Sequence, residues 1–446
     1  MLILIRRYWL SCTIVTLMEN ITVQDLKRSG ITLKQYVLGR RDTDSRAGTL
    51  NIGRYLALDR SLGADVFIDA LRPHVILICG KRGYGKSYTM GTMIEELASL
   101  SPEIKTNIAA LVIDTMGVFW TMRHENRKEA GLLERWGLAS QGFDVEVFVP
   151  AGSVKQYEAQ NISVKPFSIS TSGLSGYDWC SLFSVAPVSA LGVILIKTID
   201  ELKEKRSDFS LSDILDAAGK NEYADTTIMN AVQNYFRAAR SWGIFDEKEL
   251  SISDMLKGGN IIILDLSSLE NQSVRAIAVK MLGKRIYEER IKARRIYERM
   301  EMGDISGEKG MPMVWMFIDE AHMFLPREGE TPATGVLVNE WLRQGRQPGL
   351  SVVFATQRPA ALHSDVMSQS DIIICHRLTA QDDIIALEAI HPTYMREGIS
   401  DHLKKMGIEK GAALIIDDTS EAAHLVKMRP RKSWHGGEEP SALGHR

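Results

Sequence analysis

One octapeptide constrains this chain more than any other feature. Residues 80–87 read Gly-Lys-Arg-Gly-Tyr-Gly-Lys-Ser, which fits the phosphate-binding P-loop pattern G-x-x-x-x-G-K-[ST]. The apolar run 75–79 precedes it, and the segment that follows carries apolar residues at helical spacing, namely Met90, Met93, Ile94 and Leu97. Between a strand and a helix, backbone N–H groups of such a loop can close around phosphates. The sequence therefore predicts a nucleotide site in which Lys86 reaches the β- and γ-phosphates and Ser87 binds Mg²⁺.

Short apolar, β-branched runs alternate with helical patterns along the chain. Several are apolar throughout, as expected of strands buried on both faces of a parallel sheet. The runs cover residues 75–79, 109–113, 145–149, 260–264, 313–318, 351–355, 371–375 and 412–416. They predict an α/β fold with a mostly parallel sheet flanked by helices. Helical patterns at 188–204 and 226–241, in a region that lacks strand runs, predict an α-helical insertion.

The same patterns divide the chain into segments. We expect an apolar extension, a short N-terminal region, the first part of the core, a helical insertion, the second part of the core and a tail, at 1–17, 18–74, 75–150, 151–258, 259–428 and 429–446. Arg6 and Arg7 interrupt the extension and leave an apolar stretch too short to span a bilayer comfortably. A signal anchor, a terminal strand and a true start at Met18 all stay open for it.

Composition excludes little but removes two classes of site. The four cysteines are scattered without a C-x-x-C pair, so neither a disulfide framework nor a zinc site is expected, and the pattern is typical of a reduced, cytoplasmic protein. The net charge of −2 argues neither for nor against nucleic acid, because only a local basic surface decides that question.

A second strand run carries the chemistry that a P-loop alone lacks. The run 313–318 ends in Asp319 and Glu320. Asp319 can hold Mg²⁺ through water, and Glu320 can orient and polarise an attacking water. Because ligands bind at the carboxyl ends of parallel strands, the pair predicts hydrolysis and not binding alone. The alternative is two exposed acids at a strand end.

Polar residues around the next strand complete the candidate set. Gln357 follows the run 351–355 and can both donate to phosphate and accept from water, so it is a candidate sensor of hydrolysis. Arg343 and Arg346 end the preceding helix. Each is either a cation that caps the helix or an arginine finger, whose fork matches charge on phosphoryl oxygens.

A further acid, Asp114, ends the run 109–113. It can assist Mg²⁺ or water, or it can close a simple turn at the strand end. The sequence leaves both interpretations open.

Together these motifs resemble the HerA branch of the HerA/FtsK superfamily of ring-forming DNA translocases. The resemblance rests on the P-loop with its helix, on Asp319-Glu320-Ala321-His322 and, most specifically, on the stretches 342–350, 355–359 and 362–369. The closing strand and tail are similar too, at 426–431 and 435–437, so that the resemblance covers about residues 50–437.

Membership of that family implies a RecA-like P-loop NTPase core, a homo-hexameric ring around DNA, ATP hydrolysis at subunit interfaces and Mg²⁺. It implies that Arg346 acts on a nucleotide at an interface, in cis or in trans. It also implies a NurA-type nuclease partner, because HerA proteins commonly work with that nuclease in DNA end resection. The implied phosphate-binding residues are Gly80, Lys81, Arg82, Gly83, Tyr84, Gly85, Lys86, Ser87 and Tyr88.

This chain departs from the family pattern in two places. The region ahead of the P-loop is short for the family's N-terminal β-barrel, which indicates a reduced or absent barrel. After Gly117 the chain has Val118, where HerA proteins usually carry an acidic residue.

The segment 284–299 is strongly helical and net basic. It is either a solvated face of salt bridges between residues four apart or a surface that tracks DNA phosphates.

We therefore expect an ATP-dependent DNA translocase or helicase of HerA type that acts in DNA end processing or repair, without a membrane partner. The alternatives are a conjugation- or packaging-type DNA pump of the same superfamily and a nucleotide-controlled DNA-binding scaffold.

Overall fold

The computed structural model describes residues 36–41, 45–219, 225–246, 251–304, 307, 310–389 and 398–437. The apolar extension expected at 1–17 lies outside these residues. In the described part of the chain, no helix is both long enough and apolar enough to cross a bilayer.

A single large sheet organises the described residues. In chain order the strands are β1 Tyr36–Leu38, β2 Thr49–Leu56, β3 Leu62–Asp69, β4 Val75–Cys79, β5 Ile108–Asp114, β6 Glu146–Pro150, β7 Lys165–Phe167, β8 Ile169–Ser170, β9 Phe245–Asp246, β10 Ile261–Asp265, β11 Met313–Ile318, β12 Leu350–Thr356, β13 Ile372–Cys375, β14 Ala412–Asp417 and β15 Ala422–Met428. All eight apolar runs named above form strands of the large sheet.

Helices connect these strands. In the same order they are α1 Lys86–Ala98, α2 Pro102–Lys105, α3 Ala130–Arg135, α4 Val154–Glu158, α5 Gly176–Leu182, α6 Ala190–Lys205, α7 Leu211–Gly219, α8 Thr226–Ser241, α9 Ile252–Met255, α10 Gln272–Glu301, α11 Thr334–Val336, α12 Ser364–Gln369, α13 Gln381–Glu388 and α14 Ile399–Met406. A π-helical turn, Leu337–Leu342, continues α11.

The sheet has a parallel half and a mostly antiparallel half. Its strand order is β1-β3-β2-β15-β14-β13-β4-β12-β11-β5-β10-β6-β7. From β13 to β7 every neighbouring pair is parallel. The pairs from β3 through β2, β15 and β14 to β13 are antiparallel. The described strands of the short N-terminal region therefore extend the same sheet as the P-loop strand.

Both faces of the parallel half are covered, which explains why its strands are apolar throughout. On one face the α1 stripe of Met90, Met93, Ile94 and Leu97 is buried against Ile76 and Ile78 of β4. On the other face α10 contributes Val274, Ile277 and Ile286 to a core that includes Leu77 of β4. The result is a three-layer α/β/α arrangement with the RecA-like fold expected of a P-loop NTPase.

The region between β7 and β10 is mainly helical. Helices α5 to α8 follow one another, and the short strands β8 and β9 pair in parallel at the two ends of this segment. Its centre is aromatic, because Trp179 contacts Phe183, Phe236 and Phe245 at centroid distances of 5.6, 4.9 and 4.9 Å. The helical segment thus has its own packed centre beside the sheet.

Candidate active site

The P-loop lies between β4 and α1, at the carboxyl ends of the parallel strands. Gly83 and Gly85 adopt φ angles of 77° and 117°, a region that glycine enters without steric cost. Within the described chain, the backbone N–H groups of Gly85, Lys86 and Ser87 have no hydrogen-bond partner. Free N–H groups at the start of a helix form an anion site. The loop can therefore receive phosphates without rearranging existing hydrogen bonds.

Lys86 lies beside the two acids of the β11 edge. Its side chain is 7% exposed, and burial lowers the pKa of its amine against the opposing pull of the Glu320 and Asp319 carboxylates. The structure thus brings the P-loop lysine and both acids together, as the sequence predicts.

Ser87 and Asp319 supply adjacent oxygens. The Ser87 hydroxyl donates to Asp319 Oδ2 over 3.2 Å, and the backbone N–H of Glu320 donates to Asp319 Oδ1 over 3.0 Å. Burial and the charge of Glu320 raise the pKa of Asp319 to about 6. The Ser87 hydroxyl and the buried, desolvated Asp319 carboxylate supply oxygen ligands, which a hard divalent cation such as Mg²⁺ prefers.

Glu320 is held in an uncommon backbone conformation. Its φ is +50°, in the left-handed region that non-glycine residues rarely adopt. Its Oε2 is buried and makes no hydrogen bond, and burial raises the pKa of its carboxyl. A buried carboxylate oxygen without a donor needs a partner. The position suits a water that the carboxylate would polarise.

The sequence assigns no role to His322, but in the structure this residue lies between Thr356 and Glu320. Its Nδ1 lies 3.1 Å from Thr356 Oγ1 and 3.4 Å from Glu320 Oε2. Burial lowers the pKa of the ring, so its neutral form is favoured. His322 links the end of β12 to Glu320. In the sequence, only its position two residues after the acid pair pointed to His322.

Gln357 also lies at this edge. Its backbone faces the Glu320 carboxylate and helps to stabilise the charged form of that acid. The side chain is half-buried at the end of β12, which is compatible with the sensor role expected for it.

Asp114 is engaged by its own loop. Oδ1 accepts from the N–H groups of Met116 and Gly117 over 3.0 and 2.8 Å, and Oδ2 accepts from Val118 and Phe119 over 2.8 Å each. Four amide donors occupy both oxygens. The geometry favours the strand-end turn over the Mg²⁺ role for this residue.

The remaining residues of the motif hold the loop or face solvent. The N–H of Lys81 donates to the carbonyl of Arg377, and the hydroxyl of Tyr84 accepts from Arg377 Nη1. Arg82 is exposed beside the loop. The hydroxyl of Tyr88 points away from the phosphates, since it accepts from the N–H of Arg431 and donates to Glu129.

Arg343 and Arg346 lie at the opposite edge of the sheet. Both precede β12, whereas the P-loop follows β4, its parallel neighbour. Arg343 donates from Nε and Nη2 to Asp365 over 2.9 and 2.7 Å. A strand rises about 3.3 Å per residue, so roughly 15 Å separates the two edges at the five-residue β4. Arg346, which lines a cavity with His74 just before β4, therefore does not reach the P-loop of its own chain.

Arg346 opens onto a cavity of about 420 Å³ at that edge. Arg41 and Arg72 line the same cavity, and none of the three guanidinium groups has a hydrogen-bond or ion-pair partner among the described residues. His74 forms part of the wall; although burial alone would lower its pKa, hydrogen bonds from its ring to the carboxylates of Asp371 and Asp69 raise that pKa to about 9. The cavity therefore combines a buried, paired histidine, three arginines without a partner among the described residues, and the acids Asp371 and Asp418.

The basic segment 284–299 lies on α10. Arg290 is buried, and its Nε donates to the carbonyl of Pro348 over 2.8 Å. On the exposed side Lys292 pairs with Glu289 and Arg294 with Glu298. The structure thus shows the salt-bridged face that the sequence left as one alternative.

The chain is similar in sequence to one protein family. The family model described as "Helicase HerA, central domain" matches residues 50–286. The DNA double-strand break repair helicase HerA of Sulfolobus acidocaldarius is 23% identical over 274 residues, which cover 56% of this chain and 51% of that protein. The helicase of the same name from Sulfurisphaera tokodaii is 21% identical over 410 residues, covering 89% of this chain and 72% of that protein. The match thus spans about half the length of the first relative.

Among solved structures, VirB4 of Thermoanaerobacter pseudethanolicus is similar, with a TM-score of 0.52 and 12% sequence identity over 86% of this chain and 97% of that one. At this identity the likeness concerns the fold alone.

Proposed function

The chain belongs to the HerA family of ATPases, and from this premise we propose that it is a DNA motor of HerA type that hydrolyses ATP at the subunit interfaces of a homo-hexameric ring. The observation that carries the proposal is the meeting of two motifs at one sheet edge. Ser87 Oγ lies 3.2 Å from Asp319 Oδ2, and the next residue is Glu320, whose Oε2 is buried and makes no hydrogen bond.

The proposed chemistry assigns each of these side chains a step. Lys86 and the free N–H groups of the loop would bind the β- and γ-phosphates. Ser87 and Asp319 would hold Mg²⁺, which neutralises charge on the phosphate oxygens when bound. Glu320 would accept the proton of the attacking water, since its Oε2 atom is buried without a hydrogen bond and its carboxylate lies close to Lys86. Gln357 would report the state of the γ-phosphate.

The arginines support hydrolysis between subunits. Arg346 stands at the amino-end edge of the sheet with Arg41 and Arg72, so it is too far from the P-loop of its own chain. These three guanidinium groups have no hydrogen-bond or ion-pair partner among the described residues, although Asp371 and Asp418 line the same cavity, and they can bind a phosphate presented by a neighbour. We therefore propose that Arg346 acts in trans in a head-to-tail ring. Arg343, which is paired with Asp365, has a smaller part.

The names of two relatives support a DNA substrate, and the family resemblance alone implies a nuclease partner. The two proteins from Sulfolobus acidocaldarius and Sulfurisphaera tokodaii are named as DNA double-strand break repair helicases. We propose that this chain acts on DNA, as duplex or at its ends, in repair or end processing. A NurA-type nuclease is the partner that this role would require.

Steady-state ATP hydrolysis by the full chain, with and without linear duplex DNA, tests the proposal together with the mass in solution. We expect Mg²⁺-dependent turnover that DNA stimulates and a mass of six subunits. Turnover that DNA leaves unchanged would refute the motor and favour a nucleotide-controlled scaffold. A monomer with DNA-stimulated turnover would refute the ring.

A further inference from the structure

Two of the three P-loop glycines face a histidine from another strand. A Cβ placed on Gly80 would lie 2.6 Å from the Cβ of His376, and one on Gly85 would lie 3.2 Å from its Cε1. A Cβ on Gly83 would meet nothing within 4 Å. His376, which follows β13, therefore fills the inner side of the loop, while the outer side stays open for a ligand.

The ring of His376 bridges the first turn of α1 to the antiparallel half of the sheet. Its Nδ1 lies 3.0 Å from the carbonyl oxygen of Ala412 in β14, and its Nε2 lies 2.9 Å from Thr89 Oγ1. A carbonyl only accepts, so Nδ1 carries the hydrogen and Nε2 accepts from the Thr89 hydroxyl. Burial lowers the pKa of this ring to about 4, which agrees with a neutral histidine.

The neighbouring residue holds the start and the middle of the loop. The carbonyl of Arg377 accepts from the N–H of Lys81 over 2.8 Å. Its guanidinium donates to the Tyr84 hydroxyl over 3.1 Å and lies 5.3 Å from the centroid of that ring. The N–H of His376 donates to the carbonyl of Cys79, the residue before the loop, over 2.8 Å.

We propose that His376 and Arg377 form a P-loop clamp, a pair of positioning residues that fix the loop in the shape that binds phosphates. This inference rests on the proposed nucleotide site and deepens it. The clamp residues act through the loop: His376 is fully buried beneath it, and Arg377 contacts it through Lys81 and Tyr84. Because His376 also holds Ala412, the clamp ties the nucleotide loop to β14 and the strands beyond it.

The hydrogen bond between His376 and Thr89 gives the sharpest test. His376→Asn keeps a donor near Ala412 but loses the acceptor for Thr89, and Thr89→Val removes the hydroxyl at nearly constant volume. Binding of the fluorescent analogue mant-ATP to the full chain with Mg²⁺ is measured beside KM, kcat and the thermal midpoint. His424→Asn, the same exchange on β15, is the matched control.

We expect each of the two variants to weaken mant-ATP binding and raise KM by about tenfold, the effect of losing one buried hydrogen bond. We expect kcat to change by less than about threefold, because the groups that stabilise the transition state are intact. The double variant should be little worse than either single variant, since both remove the same bond. Arg377→Met should show a smaller rise in KM, and His424→Asn none.

Wild-type affinity for mant-ATP in Thr89→Val and His376→Asn would overturn the clamp. So would a loss confined to kcat, or a lower thermal midpoint with unchanged affinity in the folded fraction, which would leave His376 a packing residue only. If His376→Asn does not fold, Thr89→Val and Arg377→Met decide alone. Failure of the wild-type chain to bind mant-ATP would instead refute the proposed function.

Discussion

The two edges of the parallel sheet differ in the charged groups they carry. At the carboxyl-end edge the P-loop, Asp319 and Glu320 of one chain lie together, with Lys86 and Asp319 buried and Glu320 half-buried. At the amino-end edge Arg41, Arg72 and Arg346 line a cavity whose wall also carries the acids Asp371 and Asp418, and none of the three guanidinium groups has a hydrogen-bond or ion-pair partner among the described residues. This difference supports the proposal that Arg346 of one subunit acts on a nucleotide bound to the P-loop of its neighbour.

The edges also differ in how they treat buried charge. His74 is 4% exposed, and its two nitrogens lie 2.6 Å from Asp371 and 3.4 Å from Asp69. Asp319 is 2% exposed and faces another acid, Glu320. At the amino-end edge the charge of His74 is thus neutralised by two acids. At the carboxyl-end edge Asp319 faces a like charge, an unfavourable interaction that a bound cation can relieve. Such a trade of stability for activity is common at active sites.

The largest expected effect concerns the two arginines at the amino-end edge. We expect Arg346→Ala to lower the turnover of ATP by about a thousandfold, the lower end of measured arginine-finger effects. Arg343→Ala should change turnover by less than about threefold, because that arginine is already held by Asp365. Initial rates at saturating ATP check both variants. If both variants lost turnover equally, the position of Arg346 at the cavity would not give it a special role in hydrolysis.

At the carboxyl-end edge the test is Glu320→Gln. The amide cannot accept a proton, so we expect hydrolysis to fall by a factor of about 10² to 10³ while ATP still binds. Single-turnover hydrolysis and nucleotide affinity are measured together. Glu301→Gln, at the exposed end of α10, is the control and should leave both unchanged. Retained turnover in Glu320→Gln would exclude this acid as the base.

The same exchange should change stability in opposite directions at the two edges. Asp371→Asn leaves a buried cation short of a partner, so we expect the free energy of unfolding to fall by about 3 kcal/mol. Asp319→Asn should raise it by about 2–3 kcal/mol at neutral pH without Mg²⁺, because one pKa unit corresponds to about 1.4 kcal/mol. The sign follows from a folded pKa near 6, which is above the unfolded value, so ionisation costs stability as pH rises through 6. Urea unfolding measures both. A shift of the same sign in the two variants would contradict the comparison.

The smallest expected effect is a pH dependence set by His74. Its folded pKa of about 9 lies above the unfolded value of about 6.5. Its contribution is therefore fully present below pH 6.5 and is lost as pH rises through 9, by at most about 3 kcal/mol. Urea midpoints across that window should fall in the wild type and stay flatter in His74→Gln. A slope that survives the substitution would assign it to another group.

Much of the fold could be predicted from the sequence because buried parallel strands are easy to recognise as continuous apolar runs. Runs such as 109–113 and 313–318 are buried on both faces, so their apolar character needs no periodicity to be seen. The edge strands were harder. In β2 polar and apolar residues mix, and its pairing with β3 shifts register between Asn51 and Gly53, so no regular alternation marks it as a strand.

Within the site, the P-loop and the acid pair were readable because a fixed spacing encodes them. The role of Asp114 could not be predicted, because an acid at a strand end has the same sequence pattern whether it binds a cation or accepts hydrogen bonds from its own loop. His376 carried no local signal, because its contact with Gly80 depends on β13 pairing with β4 across nearly three hundred residues. The edge on which Arg346 stands likewise follows from strand direction, which spacing alone does not reveal.

Subunit mixing tests the central claim most directly. Lys86→Ala and Arg346→Ala are each expected to be inactive, since the first removes the P-loop lysine and the second the arginine of the opposite edge. After the two are dissociated, mixed in equal amounts and reassembled, roughly a quarter of the interfaces in a random head-to-tail ring would join an intact loop to an intact arginine. The account predicts that ATP turnover returns to about that fraction of the wild-type rate. No recovery in rings shown to contain both variants would contradict it, because each subunit would then have to supply both halves of its own site.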